Sequence, residues 1–279
     1  MNTARKNKSS VHLPPRTRPP SHRGVFITGT DTGVGKTLVT AALTVCLKQR
    51  GFSVGVMKPV ETGLRDEGAA VSDAARLRAA AGLDEAVEAI SPCRFPEPLA
   101  PADAARRAGQ TIMLAHIARA YRALASRYQI VLVEGVGGVR VPLTPQADVS
   151  ELIRRLGLPS VVVGRTRLGA INHALLTLDA LAQRDLPVLG LLLNRSSAEP
   201  ATATERLQEA SALSLLKAWG KIPVIGPLAF HAHVQRAWAE GLATVANSKE
   251  IGALADLIIG RAPRTRERFR LRRGPGRLH

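Results

Sequence analysis

Six short apolar runs punctuate the chain, at residues 24–28, 53–57, 130–133, 160–164, 188–193 and 224–228. Each is rich in Val, Leu or Ile and is bounded by glycine, proline or charge. A strand with one face in water alternates apolar and polar positions. Unbroken apolar runs this short predict strands buried on both faces. Longer stretches of mixed polarity separate them and predict helices over 38–50, 72–81, 111–126, 148–156, 170–184 and 203–219. Alternation of strand and helix at this spacing predicts an α/β fold, a parallel sheet flanked by helices on right-handed crossovers. No repeat and no second core is visible, so a single domain is expected over 24–260.

Composition changes this picture only at the ends. The hydrophobic fraction of 45% is ample for a core, although aromatics at 3% leave most of the packing to aliphatic side chains. The net charge of +17 invites a nucleic-acid partner, but 13 of those charges lie in residues 1–23 and 261–279. Both segments are rich in Pro, Gly and Arg and lack apolar periodicity, so they are expected to be disordered basic tails. Nucleic acid is therefore not an expected partner, and the tails read as solvated extensions rather than a targeting signal. Cys46 and Cys93 stand far apart, without metal-ligand spacing. That argues against a disulfide framework or a zinc site and fits a reducing, cytoplasmic setting. No apolar run reaches the ~18 residues of a membrane span.

The most informative segment follows the first run: Gly29-Thr30-Asp31-Thr32-Gly33-Val34-Gly35-Lys36-Thr37. Strand, glycine-rich turn, Lys-Thr and helix make a phosphate-binding loop. Backbone N–H groups of the turn and of the helix start point at phosphate, and the helix dipole favours its negative charge. Lys36 is expected to reach the terminal phosphates and Thr37 to place its hydroxyl on Mg²⁺. The first glycine stands at position 29, not 30, so the loop is one residue longer than the common form.

Ligands of such sheets gather at the carboxyl ends of the strands. The second predicted strand ends in Lys58-Pro59-Val60-Glu61-Thr62-Gly63 and the third in Glu134-Gly135-Val136-Gly137-Gly138. The fifth ends in Asn194-Arg195. A carboxylate at a strand tip beside bound phosphates suits Mg²⁺, a hard cation that takes oxygen ligands, and Glu134 is the candidate. The glycines after it allow close approach of backbone to phosphate. Lys58 offers a second ammonium, although a lysine before proline is commonly an exposed loop residue. Asp73, beside Ser72, reads equally well as a helix cap.

Taken in order, Gly-Thr-Asp-Thr-x-Val-Gly-Lys-Thr, Lys-Pro-Val-x-x-Gly, Ser-Asp-Ala, Val-Glu-Gly-x-Gly-Gly, Gly-x-Ile-Asn-His-Ala-x-Leu-Thr and a strand ending in Asn resemble the dethiobiotin synthetase family from about Gly24 to Leu228. The longer phosphate loop is itself a feature of that family. The resemblance implies a homodimeric P-loop enzyme using ATP and Mg²⁺ to convert 7,8-diaminopelargonate (7,8-diaminononanoate) and CO₂ to dethiobiotin. It implies that Lys58 and Lys36 are catalytic and that Thr37, Asp73 and Glu134 hold the metal. The nucleotide is then expected along Gly33, Val34, Gly35, Lys36, Thr37, Gly135, Val136 and Gly137. Asn194 and Arg195 are expected near the base, with Pro223, Val224 and Ile225 where the chain passes it. Thr32 and Thr62 are expected to contact substrate, and Asn172 to reach the substrate bound to a partner subunit; read alone, Asn172 is equally a helix cap.

Three positions depart from the family pattern. Ala100-Pro101-Ala102 stands where Ser-Pro-His is frequent, and Gly33 where some members carry an acid. His231 and His233, two apart and without a third ligand, are expected to face solvent. A partitioning-type ATPase shares the predicted fold but carries an additional lysine early in its loop. This chain has none between Gly29 and Val34.

Overall fold

The computed structural model describes residues 24–64, 72–195 and 202–260. The two basic tails lie outside the described residues. The chain begins with β1 (Gly24–Gly29), α1 (Lys36–Gln49), β2 (Val54–Met57) and a short β3 (Val60–Thr62). It continues through α2 (Asp73–Ala81), α3 (Val87–Ile90), β4 (Cys93–Phe95), α4 (Pro101–Arg107) and α5 (Leu114–Ala125). Then come β5 (Ile130–Gly138), α6 (Val149–Leu156), β6 (Ser160–Arg165), α7 (Ala170–Ala182), β7 (Val188–Asn194) and α8 (Ala203–Trp219). The last elements are β8 (Val224–Leu228), α9 (Ala232–Arg236), α10 (Trp238–Ala246) and α11 (Lys249–Ile258).

The six predicted strands form one six-stranded sheet in the order β2-β5-β1-β6-β7-β8, with every pair parallel. Successive residues serve opposite faces. Val25 and Ile27 of β1 join a core with α1, α2, α10 and α11, whereas Phe26 joins the core on the other side with α5, α6, α7 and α8. Burial on both faces is what the unbroken apolar runs predicted. β1 lies between β5 and β6, so the order reverses there, and the chain leaves β1 at the switch point where open α/β sheets form their ligand crevice.

Several features differ from the sequence expectation, among them the short helices α3 and α4. β5 does not end at Val133. Ile27 pairs with Glu134 and Gly29 with Gly138 across a register shift, which carries the strand five residues further and places Glu134 inside it rather than at its tip. β3 and β4 form a separate two-stranded parallel sheet, with Glu61 opposite Arg94 and Thr62 opposite Phe95. Each is three residues long, too short for periodicity to register. Past β8, three helices that the strand pattern left unassigned finish the domain. α10 and α11 close over α1, and Leu242, Val245, Leu254 and Ile258 are buried there.

Because α11 completes that core, it is structural. Leu254, fully buried, is expected to cost about 2–5 kcal/mol of unfolding free energy when replaced by Ala. Urea titration checks this, and a change below about 0.5 kcal/mol would show that α11 merely rests on the surface.

Candidate active site

The phosphate loop runs from Gly29 into α1. Gly35 is the N-cap of α1 with φ 96°, a left-handed conformation that favours glycine. A Cβ at Gly35 would lie 2.2 Å from Asn194 Nδ2, so space as well as conformation requires glycine there. No side chain caps α1 and its first turn holds no acid, which leaves the amides of that turn available to an anion. Lys36 Nζ folds back to donate to the Asp31 carbonyl at 3.0 Å. Burial, and then the nearby Lys58 charge, lower its pKa to about 8.

Lys58 is not a loop lysine in solvent but is only 4% exposed. Its ammonium donates to Glu134 Oε1 at 2.5 Å and to Asp73 Oδ2 at 2.9 Å, with the Gly135 carbonyl at 3.4 Å. Burial alone would lower its pKa, but the two carboxylates outweigh it and hold Lys58 charged, above the usual lysine value. Burial likewise penalises the Asp73 carboxylate. Lys58, together with hydrogen bonds from Lys58 and Thr37, more than offsets this and keeps the Asp73 pKa below its ordinary value. Capping of α2 falls to Ser72, whose hydroxyl accepts from the Ala75 amide, and Asp73 is free for the cluster.

Thr37 Oγ1 donates to Glu134 Oε1 at 2.9 Å, so Thr37, Asp73 and Glu134 converge around Lys58. Glu134 is fully buried, and its other oxygen, Oε2, has no hydrogen-bond partner among the described residues. An orphaned carboxylate oxygen beside a threonine hydroxyl and a second carboxylate is a hard-oxygen donor set of the kind Mg²⁺ takes.

Asn194, 3% exposed at the end of β7, donates from Nδ2 to the Val34 carbonyl at 2.9 Å, while its Oδ1 is buried without a partner among the described residues. The Arg195 guanidinium pairs with Glu209 of α8 at 2.5 Å. Pro223, Val224 and Ile225 are not level with Asn194. The β7–β8 register pairs Val224 with Leu191 and Ile225 with Leu192, placing these residues toward the amino end of β8. Leu228 is the residue opposite Asn194, because a register shift intervenes.

Gly135, Val136 and Gly137 follow Glu134 along β5, and Gly138 pairs with Gly29 at the start of the loop. Thr32 is exposed on the crown of the loop, and Thr62 is half-buried at the end of β3. Asn172 is not a cap, since Gly169 fills that place; it is an exposed residue in the first turn of α7. Ala100 is the N-cap of α4 without a side-chain bond, so the residue missing from the family pattern is a capping hydroxyl as well. His233 is exposed and bonds Glu240 at 3.1 Å. His231 is half-buried, with Nε2 unpartnered among the described residues, contrary to the solvent-facing expectation.

Two residues that the motifs did not single out border the site. Arg165, at the end of β6, donates to the Thr32 carbonyl at 2.5 Å and lies 3.5 Å from Asp31 Oδ2. It lies at the end of the fourth predicted strand, one of two predicted strand ends given no role, which was the signal available. Glu61, buried on β3, accepts from the Ala74 amide at 3.2 Å.

A family model described as an AAA domain matches residues 23–236. The ATP-dependent dethiobiotin synthetase BioD of Anaeromyxobacter dehalogenans is 47% identical over 201 residues, 70% of this chain and 89% of that protein. The enzyme of the same name from Thermodesulfovibrio yellowstonii is 39% identical over 216 residues, 74% of this chain and 88% of that one. Among solved structures, the MinC:MinD cell division protein complex of Aquifex aeolicus shares the fold, with a TM-score of 0.56 at 14% identity over 88% of this chain and 99% of that chain. Identity at this level, across most of the length of both partners, makes this chain a member of the dethiobiotin synthetase family.

Proposed function

We propose that this protein carries out ATP-dependent ring closure of 7,8-diaminopelargonate with CO₂, giving dethiobiotin, ADP and phosphate in biotin synthesis. The observation that carries the reading is the buried Lys58–Glu134–Asp73 cluster set against the phosphate loop. One amine of the substrate adds CO₂ to give a carbamate, a poor electrophile until its oxygen is phosphorylated. Lys36 and Lys58 act by charge and position on the negative charge that develops as the γ-phosphoryl group moves. The second amine then attacks the activated carbon, expels phosphate and closes a cyclic urea. Holding both amines together makes that closure effectively unimolecular. No side chain needs to form a covalent intermediate.

Thr37, Asp73 and Glu134 are the residues that would hold Mg²⁺, and the cation would supply charge neutralisation at the phosphates. Asn194 fixes the back of the loop through Val34, and its Oδ1 suits an exocyclic amino group of the base. Thr32 and Thr62 are assigned to the diamine substrate. We also read the protein as a cytoplasmic homodimer. Apart from Met113, the large exposed apolar side chains among the described residues lie on or beside α7 and α8, and Leu168 and Leu176 flank Asn172 at four-residue spacing. An apolar surface around Asn172 suits a role at a partner subunit's substrate. Among the described residues no helix is long and apolar enough to cross a membrane.

The deciding experiment is phosphate release with MgATP and bicarbonate, with and without 7,8-diaminopelargonate, together with mass spectrometry of the product. Release that depends on the diamine and yields a cyclic urea is expected; release indifferent to the diamine would sink the reading. In the same assay Lys58→Ala is expected to lower turnover about 100-fold or more while ATP affinity changes far less, because the charge acts in the transition state.

Lys36 gives a pH signature. With its pKa at about 8 in the free protein, it is largely neutral at higher pH, and phosphate oxygens favour its charged form. Binding of MgADP is therefore expected to take up close to one proton at pH ~9 and none through Lys36 at pH ~7. Calorimetry in buffers of different ionisation enthalpy reads this, and equal uptake at both pH values would contradict it. The dimer is tested by sedimentation. Leu176→Asp is expected to yield monomers with diminished diamine-dependent turnover, and an unaltered sedimentation coefficient would remove α7 from the interface.

A further inference from the structure

Burying a carboxylate demands a reason, and the sheet of β3 and β4 contains one that the reaction above does not use. Glu61 is 4% exposed, although it lies on a three-residue strand between Val60 and Thr62. Its Oε1 accepts the Ala74 amide at 3.2 Å, at the first turn of α2. Across the β3–β4 pair its register partner is Arg94, whose Nε lies 3.8 Å from Glu61 Oε2. A carboxylate against the amides of a helix start is favoured by the helix dipole as well as by the hydrogen bond. Ser72 already caps this helix through the Ala75 amide, so Glu61 is not needed to start it.

What Glu61 adds is closure of a ring. Lys58 and Glu61 are fixed to each other by the two residues between them, Pro59 and Val60; Glu61 holds the Ala74 amide, Ala74 follows Asp73, and Asp73 Oδ2 returns to Lys58 at 2.9 Å. Thr62 is the next residue along the same strand and faces the opposite way from Glu61. The ring therefore ties the start of α2, and with it the Asp73 carboxylate, to the strand that carries Thr62.

We infer that Glu61 is a positioning residue: it holds the first turn of α2 so that Asp73 sits within reach of Lys58 and of the cation, in register with the substrate strand. This rests on the reading of Asp73 as a metal-binding residue. Groups standing directly behind metal-binding side chains typically alter metal affinity by about 10–100-fold when removed.

The test is Mn²⁺ binding to the full chain in saturating ADP, read by the electron paramagnetic resonance signal of free Mn²⁺, with thermal melts run in parallel. Glu61→Ala is expected to weaken Mn²⁺ binding about tenfold, and Glu61→Gln, which still accepts the Ala74 amide, to stay within about threefold of the parent. If Glu61→Ala does not fold, Glu61→Asp takes its place. It keeps the charge facing Arg94 but falls one methylene short of Ala74, and a loss of at least about threefold is expected. Parent-like affinity in the shortened or truncated variant overturns the inference. So does equal loss in the Ala and Gln variants that simply follows their melting temperatures. Asp73→Asn separates the two readings. Weakened binding there with none in Glu61→Ala removes only the role of Glu61, whereas parent-like binding in Asp73→Asn removes Asp73 from the metal site and the role of Glu61 with it.

Discussion

A lysine ammonium shut away from water with two carboxylates is the constraint on which this molecule is arranged. Lys58 and Glu134 are both buried, and each ion would cost several kcal/mol to desolvate on its own. They are tolerable because Glu134 and Asp73 meet the ammonium at 2.5 and 2.9 Å and Thr37 supplies a further donor to Glu134. Four elements must be in place at once for this: β2 leading to Lys58, α2 starting at Asp73, β5 carrying Glu134, and α1 carrying Thr37. Removing Lys58 leaves the buried Glu134 charge without its ion partner, which is costlier than never having buried the set. One cluster thereby fixes the relation of the loop, the sheet and α2.

The sheet order makes that convergence possible. β1 sits between β5 and β6, so the phosphate loop opens where the connections diverge, and the carboxyl ends of both neighbours border it. Glu134 arrives from β5, and Arg165 arrives from β6 to hold the Thr32 carbonyl. From one strand further out, Asn194 clamps Val34 from behind and occupies the space a side chain at Gly35 would need. A loop one residue longer than the common form is thus braced from both sides by side chains on rigid strands. Such bracing is how a flexible glycine-rich segment keeps its amides aimed at phosphate before any phosphate arrives.

The pKa values of the two lysines are moved in opposite directions, and the environment alone sets the difference. Lys58 faces carboxylates and remains charged, whereas Lys36 is buried near another ammonium and donates to a backbone carbonyl. A fixed cation and a tunable one beside the same loop suit a reaction in which negative charge first binds and then moves. Large apolar side chains are exposed on α7 and α8, the helix pair that also carries the exposed Asn172.

The sequence alone was sufficient to locate the strands of the main sheet and to name candidates for the site. Unbroken apolar runs report burial on both faces, which is a local property, and six of them located all six strands of the main sheet. Lys36, Thr37 and Glu134 stood out as candidates because motif spacing ties residue type to position along a strand or turn, whereas for Lys58 and Asp73 an ordinary loop or capping role was set aside through the family resemblance. Pairing was not legible. The register that extends β5 past Glu134, the one that sets Pro223, Val224 and Ile225 below Asn194, and the pairing of β3 with β4 each depend on partners remote in the chain. Burial of a polar group is likewise set by the whole fold. Lys58 before its proline looked like a loop lysine, Arg195 looked like a ligand of the nucleotide, and Glu61 was simply an unassigned letter in a motif. Only when strands from distant parts of the chain closed around them did the low dielectric and the available partners decide which became a buried ion, which turned to Glu209, and which was left to hold a helix in place.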